Sequence, residues 1–500
     1  MPNTKPARKG RVPAAAAAAR LRIRLYRHGL GDCFLLRFGR PDHGTFNILI
    51  DCGLISVASD AKVKMQAVVA DIAAACGNRI DAVVMTHEHW DHASGFSTQQ
   101  AQAQFDQIDV GEAWYAWTEN PQNPLGARLR AERAKKVEAL AAAAAALGAE
   151  GNSPLALARA AALESTLQFF GTAASGATPA IGKTRAAFDY LSNRNGVKNR
   201  YLEPGTSPLT LDALPGVRIY VLGPPQNEAL IKKSAPTKSG REVYEMAAEA
   251  DLADNVRAAF VRMSKDDTAR DGLADCPFDV QWHRAPASTA EDRMTSPLLA
   301  ELMEQTWDQP GEAWRKIDDD WTSVAETLAL NLDTHTNNTC LVLAFELIDS
   351  GEVFLFPADA QVGNWLSWQD LQWTVRDGGQ SSQVSATDLL RRTVFYKVGH
   401  HGSHNATLRA LGLEQMQSDE LVAYIPVIRA EAEKNRWMGM PFGPLVDRLR
   451  EKTRGRLLQS DDNSLPEDAA LADLTPEAKA AFRQATTLAS DKLYVEISYA

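Results

Sequence analysis

Three histidines and two acids fall within six positions of the stretch THEHWDHASG, residues 86–95, in a 500-residue chain that has only ten histidines. The stretch directly follows the apolar run IDAVVM, so the imidazoles sit where a strand ends. In the pattern H-x-H-x-D-H, read as His87, His89, Asp91 and His92, the first two rings lie two residues apart and point the same way if the backbone stays extended. Asp91 and His92 follow on the turn and face a neighbouring position. Neutral imidazole and carboxylate are ligands that suit zinc, iron or manganese, and a hydrolytic site keeps one coordination position open for water. The competing reading, a polar turn with surface histidines, accounts poorly for so dense a pattern.

One motif cannot complete a metal site, and two later stretches offer more ligands. DTHTNNTCLVLAFELIDSGEVFLFPADA, residues 333–360, reads as two apolar strands joined by the turn DSGE and ending at Asp359. An acid at the mouth of a buried strand packs poorly but ligates well; the alternative for Asp359 is an N-cap of a short helix. VFYKVGHHGSHNAT, residues 394–407, is a β-branched and aromatic strand that empties into His400 and His401. Paired histidines in that place are seldom core residues.

The order H-x-H-x-D-H, then an acid after a strand, then HHGS, resembles the metallo-β-lactamase superfamily and, within it, the ComEC-like hydrolase branch. YRHGLGDCFLLRF (26–38) is similar to that branch's opening hairpin and FNILIDCG (46–53) to its second strand. RIYVLGPP (218–225), NNTCLVL (337–343) and the segment 434–462 resemble later blocks, with Met440 standing where a histidine is usual. The resemblance covers about half of the chain in separated blocks. It implies an α/β fold, the αββα sandwich of two facing sheets flanked by helices, and two divalent ions, zinc first with manganese or iron as alternatives. One ion falls to His87, His89 and His335, which sits like the G-H-T histidine of glyoxalase-type members; the alternative for His335 is a surface turn. The other falls to Asp91, His92 and one of His400 and His401, with Asp359 bridging. His400 is favoured as the ligand, leaving His401 to donate a proton to the leaving group. His404 is expected to meet the substrate, Lys397 and Ser403 to hold a phosphate oxygen, and Asp32 and Asp51 to orient ligating imidazoles. His28, His43 and His283 have no partner motif.

These residues need a scaffold, and the chain is long enough for one with additions. At 45% hydrophobic content it can bury a large core. Residues 1–20 read as a disordered basic leader and 21–500 as the hydrolase domain. Ala-rich helical spacing marks an insertion at about 120–195, and mixed charged sequence marks another at about 226–330. Either insertion caps the active-site mouth or serves as a packing arm in a homo-oligomer. Five cysteines without a C-x-x-C pair argue against a disulfide framework and for a cytoplasmic protein, and no apolar run is long enough to span a bilayer.

The expected chemistry is hydrolysis by a metal-bridging hydroxide. The branch resemblance favours a phosphodiester in a nucleotide or nucleic-acid end, while a net charge of −10 speaks against wrapping a long polyanion. A lactone or thioester hydrolase and a non-catalytic ligand-binding module are the alternatives.

Overall fold

The computed structural model describes residues 20–55, 60–149, 154–172, 182–233, 292–306, 309, 320–377, 379–434, 437 and 440–500. The leader, His283 and most of the second expected insertion lie outside these residues. In chain order the strands are β1 (Leu21–Tyr26), β2 (Cys33–Gly39), β3 (Thr45–Cys52), β4 (Arg79–Met85), β5 (Asp109–Ala116), β6 (Lys198–Leu202), β7 (Leu209–Leu211), β8 (Leu214–Gly223) and β9 (Val342–Leu347). They continue with β10 (Glu352–Phe356), β11 (Gln372–Asp377), β12 (Gln380–Ser385), β13 (Thr393–Lys397), β14 (Val422–Ile425), β15 (Leu457–Gln459), β16 (Thr486–Leu488) and β17 (Tyr494–Tyr499). The helices used below are α1 (Ala61–Cys76), α2 (Pro124–Ala149), α3 (Pro154–Gln168), α4 (Lys183–Ser192), α5 (Asp320–Asn338) and α6 (Gly443–Thr453).

Two sheets face each other. One runs β16-β17-β1-β2-β3-β4-β5-β6, the other β15-β14-β13-β10-β9-β8-β7. Period-two alternation explains the sandwich: Phe34, Leu36 and Phe38 of β2 and Phe345 and Leu347 of β9 point into the shared core, while Leu35 and Ala344 point to the outer faces. Helices cover both outer faces. α1 buries Met65, Val68, Val69 and Ile72 on one stripe against the first sheet and ends at Gly77, whose left-handed φ of 61° lets its N–H close on Ala73. On the second sheet, Leu449 of α6 and the tryptophans Trp365 and Trp368 belong to one buried outer cluster. The fold is the αββα arrangement of mixed parallel and antiparallel sheets expected from the sequence.

α2, α3 and α5 pack on one another through Leu140, Ala144, Leu163, Leu167, Leu328 and Leu332. Among the described residues no helix is long and apolar enough to cross a membrane. Cys33, Cys52, Cys76 and Cys340 are buried free thiols.

Candidate metal centre

Parallel strands β3, β4 and β5 in one sheet, and β10, β13 and β14 in the other, send their C-terminal ends to one rim. The loop after β4 carries His87 to His92, the loop after β10 carries Asp359, and the loop after β13 carries His400 and His401. Two glycines make the convergence possible. A Cβ on Gly31, whose φ is 152°, would lie 2.6 Å from the Asp91 carbonyl oxygen, and one on Gly53 would lie 2.2 Å from the Asp91 carbonyl carbon. In their place, the Asp32 N–H donates to the Asp91 carbonyl at 3.0 Å and the His28 ring to the Gly53 carbonyl at 2.7 Å.

Among the described residues three groups of donor atoms lie close enough to hold a metal ion, all buried: Asp32–Asp51–His92, in which His92 uses the Nδ1 side, and the two that meet at the rim, His87–His92–Asp359 and Asp91–Asp359–His401. Asp359 belongs to both of the latter. His92 Nε2 is 3.1 Å from Asp359 Oδ2 and 3.6 Å from Asp91 Oδ2, and His401 Nε2 is 3.1 Å from Asp91 Oδ2. His87 Nε2 and His89 Nδ1 face each other at 2.9 Å. Among the described residues His89 Nε2 and Asp91 Oδ1 are buried without a hydrogen-bond partner, as donors waiting for a cation would be. Imidazole and carboxylate in this ratio fit a divalent ion of the zinc, manganese or iron kind.

The ring nitrogens away from the clusters are committed. His92 Nδ1 donates to Asp51 Oδ2 at 2.8 Å, and Asp51 also takes the Thr86 N–H and hydroxyl. His401 Nδ1 donates to the Pro426 carbonyl at 2.7 Å. Both rings therefore turn Nε2 to the carboxylates, to which the protonated nitrogen donates and from which a metal ion would displace the proton. Burial works against charge on every group here, and the neighbours decide the outcome. The carboxylates around His92, Asp359 foremost, raise it well above the ordinary imidazole range, while His92 and Lys397 hold Asp359 well below the usual carboxylate range. At His89 burial outweighs the lift from Asp91 and pushes the ring down to about 3.

Lys397 and Ser403, expected to hold a substrate oxygen, are occupied within the protein. The three donors of the fully buried Lys397 ammonium are matched by Asp32 Oδ2 at 2.5 Å, Asp359 Oδ1 at 3.1 Å and the Ala358 carbonyl at 2.8 Å. Ser403 Oγ donates to Asn405 Oδ1 at 2.9 Å. The geometry of the histidine pair also differs from the expected order. Left-handed backbone at both residues, φ 41° and 51°, turns His401 to the cluster and His400 to Gln361 and Ser403. His335 lies on α5, not in a turn before β9. Its Nδ1 is 3.4 Å from the Lys136 ammonium, away from the two donor groups, and burial pushes its ring down to about 3. His404 is exposed, 6.1 Å from the Phe442 ring, and Met440 packs against the outer core of the second sheet.

The helical insertion reaches the centre in two ways. Phe169 and Phe170, just beyond α3, lie 5.5 and 4.8 Å from the His89 ring, and Phe169 stacks on Trp437 at 4.7 Å. Glu88, between two of the clustered histidines, pairs with Arg133 of α2 at 2.8 Å and Arg185 of α4 at 3.5 Å, and both arginines also pair with Glu119. The aromatic wall escaped the sequence reading because LQFF continues an apolar helical stripe. Asp333 and Gln361 escaped it too. They join His400 in a polar network, and their only signal was their nearness to His335 and Asp359 in the chain.

Residues 26–167 match the family model of the metallo-beta-lactamase superfamily, whose members are generally metal-dependent hydrolases. The match runs from the end of β1 through H-x-H-x-D-H to the last turn of α3. No curated protein and no solved structure matches the chain.

Proposed function

We propose that the protein is a metal-dependent hydrolase of phosphodiesters, acting on a nucleotide, a nucleic-acid end or a similar short substrate. The observation that carries this reading is the Asp359 carboxylate shared by two His/Asp donor groups at one strand-end rim. In this reading His87, His89, His92 and Asp359 would hold one ion, and Asp91, His401 and Asp359 the other. Divalent ions bound there would supply a water deprotonated near neutral pH and a positive field for the developing oxyanion. The protein's own groups prepare the place: Asp51 and Pro426 fix the tautomers of His92 and His401, and Lys397 anchors one oxygen of Asp359 so that the other stays free for sharing. Phe169 and Phe170 keep water from the His89 side. The motif order, similar to that of the ComEC-like branch, and the polar wall of Gln361, His400, Ser403 and Asn405 support the phosphodiester.

The Phe169–Phe170–Trp437 wall favours a second reading, hydrolysis of a lactone or thioester with an apolar acyl group. One panel separates the two. A bis-aryl phosphodiester, single-stranded DNA and RNA, cyclic dinucleotides, an acyl-homoserine lactone and a glutathione thioester are each tested with Zn, Mn and Fe. Turnover among the phosphodiesters is expected. Turnover of lactone or thioester alone replaces the first reading by the second, and metal uptake without turnover of any of them would leave a binding module.

A further inference from the structure

We propose that His400 is a hydrogen-bond donor to the oxygen that gains negative charge on the reacting group, its ring proton held on Nε2 by Gln361 and Asp333. The inference rests on the reading of this site as hydrolytic. His400 Nδ1 has two neighbours, Gln361 Nε2 at 3.3 Å and Ser403 Oγ at 3.2 Å, and the amide, which can only donate, makes Nδ1 an acceptor and leaves the proton on the opposite nitrogen. The Gln361 amide is held that way round. Its Oε1 accepts from Asn405 Nδ2 at 3.0 Å, and its Nε2 also faces Asp333 Oδ2 at 3.5 Å, so turning the amide over would set oxygen against carboxylate. Asn405 is fixed in turn by the Ser403 hydroxyl, and Asp333 by the Asn337 amide at 3.2 Å.

His400 thus differs from His401, whose Nδ1–H is given to Pro426 and whose Nε2 is turned to Asp91 Oδ2 at 3.1 Å. An Nε2–H suits an anionic oxygen and not a cation. That nitrogen is buried and has no hydrogen-bond partner among the described residues, a costly state unless a ligand completes it. The ring stands beside the centre, with its backbone N–H on Asp359 Oδ1 at 3.1 Å and Phe169 edge-on at 6.3 Å. A fixed donor in a water-poor cleft strengthens its contact as charge develops, with no reorganisation at that moment. Gln361 and Asp333 are positioning residues for it.

The test uses the metal-loaded full chain and three readouts. Imidazole ¹⁵N spectra should show His400 protonated at Nε2; protonation at Nδ1 overturns the assignment. Elemental analysis of His400→Met should give the wild-type ion content, whereas loss of an ion would make His400 a ligand. Inorganic phosphate, a probe that needs no turnover, should bind His400→Met about tenfold or more weakly. His400→Gln, which carries an N–H near the Nε2 position, should recover part of that loss. Equal phosphate affinity in wild type and His400→Met overturns the proposal. If the phosphodiester panel is turned over, His400→Met should lower kcat about 100-fold, more than it raises KM. If nothing in the panel is turned over, the hydrolase reading fails while the spectra, ion content and phosphate affinity still decide the role of His400.

Discussion

Replacing Lys397 by methionine tests the charge balance around Asp359 most directly. Methionine keeps nearly the length of the side chain at the end of β13, but the ammonium between Asp32 and Asp359 disappears. Lys397, Asp32 and Asp359 are all without measurable exposure, so water cannot replace the lost partner. Removing one member of a buried ion pair costs about 3–5 kcal/mol. In chelated protein, with no ion to compensate, Lys397→Met should cost that much in urea unfolding followed by tryptophan fluorescence. Burial already raises Asp32 and Lys397 is the main influence lowering it, so without the lysine its carboxyl rises further. A raised carboxyl gives stability that is lost as pH increases through its folded value, and the loss should therefore be larger at pH 8 than at pH 5. Adding Asp32→Asn removes one of the two stranded charges and should return about 1–3 kcal/mol. A loss under about 1 kcal/mol, or a double variant no better than the single, would refute the argument that Lys397 holds these carboxylates.

Elemental analysis after reconstitution should find two divalent ions per chain, and chelation should lower the unfolding midpoint; a content near zero contradicts the donor geometry. Asp359→Ala should abolish both ion binding and hydrolysis, since it removes the shared carboxylate, while His335→Ala should keep its ions; the reverse result would return His335 to the centre. Asp333 is raised to about 7 by burial and by the fields of Asp359 and Asp91, so in chelated protein it contributes stability below the ordinary carboxylate range that is lost as pH climbs toward 7. Asp333→Asn should flatten the change of urea midpoint between pH 5 and pH 8, and an unchanged slope would disprove that carboxyl's role. Cleavage of single-stranded nucleic acid, if observed, should weaken steeply with salt; insensitivity to salt would argue against phosphate contacts.

The parts of the centre legible in the sequence are those set by strand period and strand ends. An apolar strand that runs straight into H-x-H-x-D-H gathers imidazole and carboxylate far more densely than packing or solubility requires, and β9 and β10 with Asp359 beyond them follow from alternation and a turn. What the sequence hides depends on direction. HHGS does not say which ring faces the carboxylates, because that is decided by two left-handed residues and by the distant partners Gln361 and Pro426. Lys397 reads as a substrate-binding cation because nothing in the chain announces that Asp32, 365 positions earlier, lies 2.5 Å from its ammonium. THT resembles a ligand turn until α5 carries it into the helical layer.

The pairing of Glu88 with arginines from two helices of the insertion bears on how such a protein could be trimmed or recombined. Glu88 is flanked in the chain by two of the histidines proposed to hold metal, and its charge is answered only from α2 and α4 among the described residues. A variant shortened between residues 120 and 195 would leave Glu88 and Glu119 as neighbouring acids without their counterions, beside the very loop that must hold its shape. Grafting the insertion onto a related scaffold would work only if the recipient also carried both acids. The three histidines, the two acids and the two arginines are therefore expected to be exchanged, or lost, as one unit.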